Sequence, residues 1–180
     1  MISPRHISGI LGLAALLAGT SLAQSGRAPS VTMAPVGLVT AQRASRTMVP
    51  LYFRVASGFH INSNTPKSEY LIPTTLRMDV PTDIVLGEIE YPAGKDVTFP
   101  FSPSEQLNVY SGDFTVNLAV HPLHSVNPGK YVMHGSLRYQ ACDNAQCFPP
   151  KTLPVSFEVK VIREPAGPIH NPAQSPHIHN

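Results

Sequence analysis

Apolar and polar side chains alternate with a period of two residues along four stretches of the chain. These stretches are residues 49–55, 114–120, 130–139 and 153–162. In the first of them the apolar positions are Val49, Leu51, Phe53 and Val55. Successive side chains of a β-strand point to opposite faces of the sheet, so this period is typical of a strand that buries one face. The pattern therefore predicts four half-buried strands.

Further stretches are weaker candidates for strands, and turn-forming residues separate the candidates. The weaker candidates are residues 31–41, 75–80, 84–91 and 95–101. Turn signals, in which Gly or Pro stands near Ser, Asn or Asp, occur at residues 57–58, 64–66, 111–113 and 127–129. We find no convincing helical period over ten residues. The sequence therefore predicts an all-β fold, namely an antiparallel β-sandwich, with an up-and-down barrel as the alternative.

Two prolines, Pro50 and Pro154, interrupt predicted strands. Proline has no N–H to donate to a neighbouring strand, so it is confined to sheet edges and bulges. We therefore expect both prolines at an edge or at a β-bulge.

Residues 1–23 have the pattern of a secretory signal peptide. Arg5 supplies a positive charge, residues 9–22 are apolar, and small residues precede a cleavage point after Ala23. The alternative is an N-terminal membrane anchor, but the apolar run is shorter than the ~20 residues that a spanning helix needs. We therefore predict an exported protein whose mature chain has no membrane span.

Composition separates one domain from a tail. Residues 24–163 are long enough for a single domain with a core, whereas residues 164–180 are rich in Pro and polar residues and are predicted to be disordered. The chain has 13 Lys and Arg against 11 Asp and Glu, with no basic stripe, so nucleic-acid binding has no electrostatic support.

The tail contains His170, His177 and His179, and imidazole suits copper, nickel or zinc. A metal chaperone is therefore one hypothesis. A flexible tail offers no fixed geometry, however, so we expect neither a metal site nor a bound cofactor.

Cys142 and Cys147 are the only two cysteines, and the predicted strands 130–139 and 153–162 flank them. If those strands pair antiparallel, the cysteines lie on opposite arms of a tight connection. Their Cα separation would then fall in the range that a disulfide tolerates, and export permits the bond. An intramolecular disulfide is therefore expected.

This disulfide could be a structural staple or a redox site. Closing so short a ring stabilises the fold by only about 2 kcal/mol, and a disulfide on a loop is easy for a partner thiolate to reach. Against a redox role, Asp143 adjoins Cys142 and disfavours its thiolate, and the nearest cation in sequence is Lys151. A pair of cysteines in an exported domain is also commonly a staple. The residues alone leave both interpretations open.

The cysteine segment resembles a known family. Tyr139-Gln140-Ala141-Cys142, followed by Cys147-Phe148-Pro149-Pro150, is similar to the active-site stretch of the N-terminal periplasmic domain of DsbD, the thiol:disulfide interchange protein. Residues 58–64 (GFHINSN), 70–74 (YLIPT) and 109–112 (VYSG) also resemble that family. The resemblance covers roughly residues 30–162.

The resemblance implies an immunoglobulin-like sandwich and a periplasmic thiol–disulfide oxidoreductase that acts as an electron relay. The implied donor is a thioredoxin-like domain or a membrane thiol–disulfide transporter. The implied acceptor is a periplasmic disulfide isomerase or a thioredoxin-like protein of cytochrome c maturation. Cys147 would form the mixed disulfide with partners, and Cys142 would resolve it. The alternative is a non-catalytic binding or assembly module with a structural disulfide.

The resemblance also has departures. The cysteine loop is one residue shorter than in a known member of the family, and no segment here resembles the transmembrane and thioredoxin-like domains that are fused to that member. We therefore expect a stand-alone relay that receives electrons from separate proteins.

Five further residues are candidate neighbours of the cysteines. His60 and Asn62 lie in a matched segment that runs close to the cysteines in the family, and a histidine there could polarise a thiol. Tyr139 is expected to pack against the core first and to donate a hydrogen bond second. Phe99 or Phe101 would be the aromatic cap that shields the cysteines in the family. For His60 and for the two phenylalanines, a purely structural role is the alternative.

Overall fold

The computed structural model describes residues 28–164. The predicted cleavage site after Ala23, the three tail histidines and all of the predicted tail except Glu164 lie outside the described residues. The described residues form the strands β1 (Val31–Met33), β2 (Val39–Gln42), β3 (Thr47–Val55), β4 (His60–Asn62), β5 (Thr75–Asp79), β6 (Ile84–Glu90), β7 (Lys95–Phe99), β8 (Ser102–Tyr110), β9 (Asp113–Pro122), β10 (Gly129–Tyr139), β11 (Ala141–Cys142) and β12 (Lys151–Ile162). Within this range no helix could cross a membrane.

The alternating stretches form the centres of two sheets, as predicted. One sheet has the strand order β1-β3-β9-β6, and the other has the order β2-β12-β10-β5. The inward side chains of β3, β9, β10 and β12 join a single buried cluster. Its most deeply buried members, each 0% exposed, include Leu51, Val116, Met133 and Val159. The two sheets therefore enclose one core between them, and the fold is an all-β sandwich, as predicted.

One strand pairing differs from the predicted antiparallel arrangement. β2 pairs with β12 in parallel, with Val39 opposite Val159 and Gln42 opposite Ile162. The predicted strand over residues 31–41 is in fact two short strands, because residues 34–38 leave the first sheet before β2 joins the second. The chain thus crosses between the sheets at this point.

Both prolines lie where their strand has a partner on one side only. Pro50 is opposite Asn117 of β9, whereas β1 pairs with β3 only at residues 53–55. Pro154 is opposite Ser136 of β10, whereas β2 pairs with β12 only at residues 159–162. A missing N–H is therefore tolerated at both positions, as expected for locally unpaired edges.

A third sheet, with the order β11-β4-β8-β7, positions the cysteine segment. The sequence predicted neither β4 nor β8. All three residues of β4 are buried, so it shows no alternation, and the first half of β8 is polar and exposed. The predicted strand over residues 95–101 is also wrong at its end, because β7 stops at Phe99 and residues 100–101 form a turn into β8.

Candidate thiol–disulfide site

A disulfide joins Cys142 and Cys147, with the two Cα atoms 3.9 Å apart. The long hairpin of β10 and β12 ends at the pairing of Tyr139 with Lys151, and the disulfide lies in the connection beyond it. Main-chain hydrogen bonds continue on both sides of the disulfide. Phe148 N–H donates to Ala141 O and Asp143 N–H donates to Gln146 O, each at 2.9 Å. The cysteines therefore face each other across a small hairpin, with their Cα atoms closer together than the expected cross-strand range.

The two cysteines differ in their access to solvent. Cys142 is 0% exposed, because β11 is paired with β4 and packed in the interior. Cys147 follows three exposed residues of the loop and is itself exposed. A molecule approaching from solvent therefore meets Cys147 first.

Asp143 stabilises the loop between the cysteines. Its Oδ1 accepts hydrogen bonds from Ala145 N–H at 2.7 Å and from Gln146 N–H at 2.8 Å. These bonds, the one from Ala145 first, lower the pKa of the Asp143 carboxyl. Asp143 is therefore a fixed negative charge beside the disulfide. The nearest cation in sequence, Lys151, points elsewhere, since its Nζ donates to Pro29 O at 2.9 Å.

His60 lies directly opposite Cys142 in the antiparallel pair of β4 and β11. The residue is 4% exposed, and its Nε2 has no hydrogen-bond partner among the described residues. Burial lowers the pKa of His60 to about 4, against a smaller opposing effect of the Asp143 charge. The imidazole is therefore neutral at neutral pH, and the structure brings this candidate residue next to the buried cysteine.

Phe99 and Phe101 form an aromatic stack with His60. The ring of Phe99 lies 3.9 Å from the imidazole, centroid to centroid, and is nearly parallel to it. The ring of Phe101 is 5.6 Å from that of Phe99 and 6.4 Å from His60. Phe99 is also part of a small buried cluster with Leu107 and Val109. Both cap candidates therefore contact the residue opposite Cys142, and Phe99 has a packing role as well.

Asn62 ties the base of the cysteine loop to the neighbouring segment. Its Nδ2 donates to Ile72 O at 3.0 Å and to Gln140 Oε1 at 3.4 Å. Gln140 Nε2 in turn donates to Phe148 O at 3.2 Å, on the far arm of the loop. Gln140 was not predicted as a site residue. The sequence feature that could have identified it is a polar side chain inside the matched cysteine segment, next to a buried strand.

Tyr139 has a structural contact at some distance in sequence from the loop. Its hydroxyl oxygen accepts a buried hydrogen bond from Val31 N–H at 3.1 Å, which ties the start of β1 to the end of β10.

An aromatic contact that the sequence did not predict joins Phe59 to Phe148, with ring centroids 5.8 Å apart in an edge-to-face arrangement. Within residues 28–164 no cluster of three potential metal ligands is present.

The family model described as "Thiol:disulfide interchange protein DsbD, N-terminal" matches residues 32–158, which include both cysteines and every candidate neighbour. The chain belongs to this family. The resemblance inferred from the cysteine segment is thereby confirmed. DsbD N-terminal domains are periplasmic, and the Cys142–Cys147 disulfide is consistent with thiol–disulfide interchange.

Solved structures with similar strand arrangements include the DsbD N-terminal domain of Neisseria meningitidis in its reduced form. It is 19% identical with a TM-score of 0.42, over 66% of this chain and 82% of that one. A family 123 glycoside hydrolase from Clostridium perfringens is 13% identical with a TM-score of 0.35, over 71% of this chain and 23% of that one. A protein of the aggregative adherence fimbriae of enteroaggregative Escherichia coli is 15% identical with a TM-score of 0.35, over 74% of this chain and 99% of that one. No curated protein matches the sequence significantly.

Proposed function

We propose that this DsbD N-terminal-like domain is a periplasmic electron relay that works through the Cys142–Cys147 couple. The observation that carries the proposal is the unequal exposure of the two cysteines: Cys147 is open to solvent on a loop, and Cys142 is 0% exposed. Thiol–disulfide exchange needs one sulfur that a partner can reach and a second that resolves the mixed disulfide. This pair supplies one of each.

In the first half-reaction the domain is reduced. A donor thiolate attacks Cys147 Sγ, the Cys142–Cys147 bond breaks, and the electron pair and a proton go to Cys142 Sγ. The second thiolate of the donor then attacks the donor's own sulfur in the mixed disulfide and releases Cys147, which also takes up a proton. The donor leaves as a disulfide, and the domain now carries two electrons as a dithiol.

In the second half-reaction the domain reduces an acceptor. The Cys147 thiolate attacks the acceptor disulfide and forms a mixed disulfide, and the released acceptor thiolate is protonated. The Cys142 thiolate then attacks Cys147 Sγ, which expels the acceptor as a dithiol and restores the Cys142–Cys147 disulfide. The two half-reactions balance without a cofactor.

The chemistry of the site favours exchange within a docked complex. Asp143 is negatively charged, and no Lys, Arg or His lies between the cysteines, so the local field does not favour a thiolate. The donor would be a thioredoxin-like domain or a membrane thiol–disulfide transporter. The acceptor would be a periplasmic disulfide isomerase or a thioredoxin-like protein of cytochrome c maturation. The signal peptide would direct export and would be cleaved after Ala23.

The second candidate function is a binding module with a structural disulfide. The complete burial of Cys142 and the hydrogen bonds on both sides of the disulfide favour it. The reduction potential separates the two candidates. Purified protein is equilibrated with glutathione or dithiothreitol buffers, and the reduced fraction is measured by mass spectrometry after alkylation. A relay requires a potential above about −300 mV, and a value well below that supports a structural bond.

A trapping experiment tests the direction of attack. Cys142→Ser keeps the exposed thiol and removes the resolving one, so mixed disulfides with periplasmic thioredoxin-like proteins should accumulate. Cys147→Ser is the matched control, since it keeps only the buried thiol and should trap few or none. Equal trapping by the two variants, or none by either, would contradict the relay through Cys147.

A further inference from the structure

The structure contains a buried histidine that the exchange steps above do not use. His60 is 4% exposed, its ring is held against Phe99, and its Nε2 lacks a hydrogen-bond partner within the described part of the chain. Buried polar atoms are nearly always hydrogen-bonded, and an unsatisfied one destabilises the state in which it occurs. The disulfide form of the domain therefore contains a group that another state could satisfy.

Cys142, which lies opposite His60, is a candidate partner for this group. His60 and Cys142 are direct partners in the antiparallel pair of β4 and β11, so their side chains leave the sheet on the same face. Asn144 of the cysteine loop and His60 also line one cavity of about 230 Å³. In the disulfide, Cys142 Sγ is bonded to Cys147 and has no hydrogen to donate. In the dithiol, Cys142 Sγ carries a proton and is free to rotate about χ1.

We propose that His60 is a positioning residue of the redox couple: in the reduced domain its Nε2 accepts a hydrogen bond from the Cys142 thiol. The imidazole carries its own proton on Nδ1 in this state. The hydrogen bond forms only on reduction, so it stabilises the dithiol relative to the disulfide. His60 thereby makes the disulfide easier to reduce and holds the resolving sulfur as a thiol between half-reactions.

The protonation state of His60 agrees with this role. Burial lowers the pKa of His60 to about 4, against a smaller opposing effect of the Asp143 charge. The imidazole is therefore an uncharged acceptor at neutral pH rather than a cation that would attract a thiolate. Phe99 and Phe101, the other groups stacked with it, carry no charge.

The inference rests on the proposed function, because it concerns the same couple, and a measurement with small thiols tests it without any protein partner. The equilibrium constant with dithiothreitol or glutathione is measured for the wild type, His60→Phe and His60→Gln. His60→Phe preserves the ring stack and removes the acceptor. We expect the equilibrium constant of His60→Phe to shift about tenfold towards the disulfide, which corresponds to a reduction potential about 30 mV lower for two electrons.

Two controls accompany this measurement. His60→Gln restores an acceptor oxygen and should return the constant to within about threefold of the wild type. His134→Phe makes the same substitution at an exposed position of β10 and should leave the constant unchanged. A His60→Phe constant within about twofold of the wild type, or shifted towards the dithiol, overturns the inference.

An NMR measurement on the wild type guards against misfolding of the variants. The ¹⁵N shift of His60 Nε2 should change when the disulfide is reduced, while that of His134 should not. Identical His60 shifts in the two states overturn the inference. If instead the reduction potential of the wild-type couple lies well below the limit given above for a relay, the proposed relay itself is wrong. If the wild-type disulfide is reducible but the His60 variants do not change its equilibrium constant, only the role of His60 is wrong and the proposed relay stands.

Discussion

Cys142 and Cys147 are joined by one covalent bond, yet Cys142 has 0% exposure and Cys147 is exposed on the loop. The difference arises from the strands. Cys142 ends β11, which is paired to β4 inside the third sheet, whereas Cys147 follows the turn that leaves that sheet. The fold therefore assigns different surroundings to two chemically identical side chains.

This asymmetry predicts unequal alkylation of the reduced protein. Cys147 should react with iodoacetamide at least about tenfold faster than Cys142. Alkylation requires a thiolate that the reagent can reach, and only the Cys147 sulfur is open to solvent. The rates are measured by quenching at intervals and mapping the modified cysteine by mass spectrometry. Denatured protein is the control, in which the two rates should converge. Equal rates in the native protein would mean that reduction opens the loop and exposes Cys142.

Asp143 predicts a charge effect on the reactivity of the cysteines. Asp143→Asn keeps an oxygen that can accept from Ala145 N–H and Gln146 N–H, while it removes the negative charge. The pKa of the nearby thiols should fall, and alkylation of Cys147 at pH 7 should become several-fold faster.

Asp143→Ala is the matched variant, because it removes both the charge and the loop hydrogen bonds. It should speed alkylation of Cys142 as well, since the loop loses the bonds that hold it closed. An Asp143→Asn rate equal to the wild-type rate would show that the carboxylate is too well solvated to affect the thiols.

The alternating strands and the cysteine hairpin could be predicted from the sequence, because both depend on neighbours along the chain. Leu51, Phe53 and Val55 are buried while Tyr52 and Arg54 face solvent, as the period of two requires. The turn between β10 and β12 is equally local, so the position of the cysteines at its tip followed directly.

The surroundings of the cysteines could not be predicted in the same way. β4 has no alternation, because both of its faces are covered, and its pairing with β11 joins His60 to Cys142 across about eighty residues of chain. The stack of Phe99 on His60 also depends on how β7 and β8 turn, and the sequence predicted that boundary wrongly. Family resemblance identified these residues as neighbours, but only the structure supplies their contacts.

The short disulfide ring predicts that reduction destabilises the domain only modestly. The loop-entropy contribution is about 2 kcal/mol, while the core between the two large sheets remains intact. Urea unfolding of the wild type with and without dithiothreitol measures the difference. Leu51→Ala, at a position with 0% exposure, is the comparison and should cost about 2–5 kcal/mol. A loss on reduction that exceeds the loss in Leu51→Ala would favour the structural role of the disulfide.

His60 predicts a pH dependence of stability in the oxidised protein. Its pKa is about 4 in the folded state and 6.5 for a free histidine. Between these values the unfolded chain binds a proton that the folded protein does not, so the free energy of unfolding falls as the pH is lowered from about 6.5 to about 4. The full loss is on the order of 3 kcal/mol, from 1.36 kcal/mol for each pKa unit.

Carboxylates with a lowered pKa contribute mainly below pH 5, since the ordinary pKa is 3.8 for Asp96, Asp113 and Asp143 and 4.5 for Glu164. Urea unfolding is measured at intervals between pH 7 and pH 5, and the difference between the wild type and His60→Phe isolates the contribution of His60. His60→Phe should flatten this part of the profile, because it removes the group that titrates, while exposed His134→Phe should keep the wild-type slope. If the slope persists in His60→Phe, the imidazole is not held neutral by burial, and its protonation does not oppose folding.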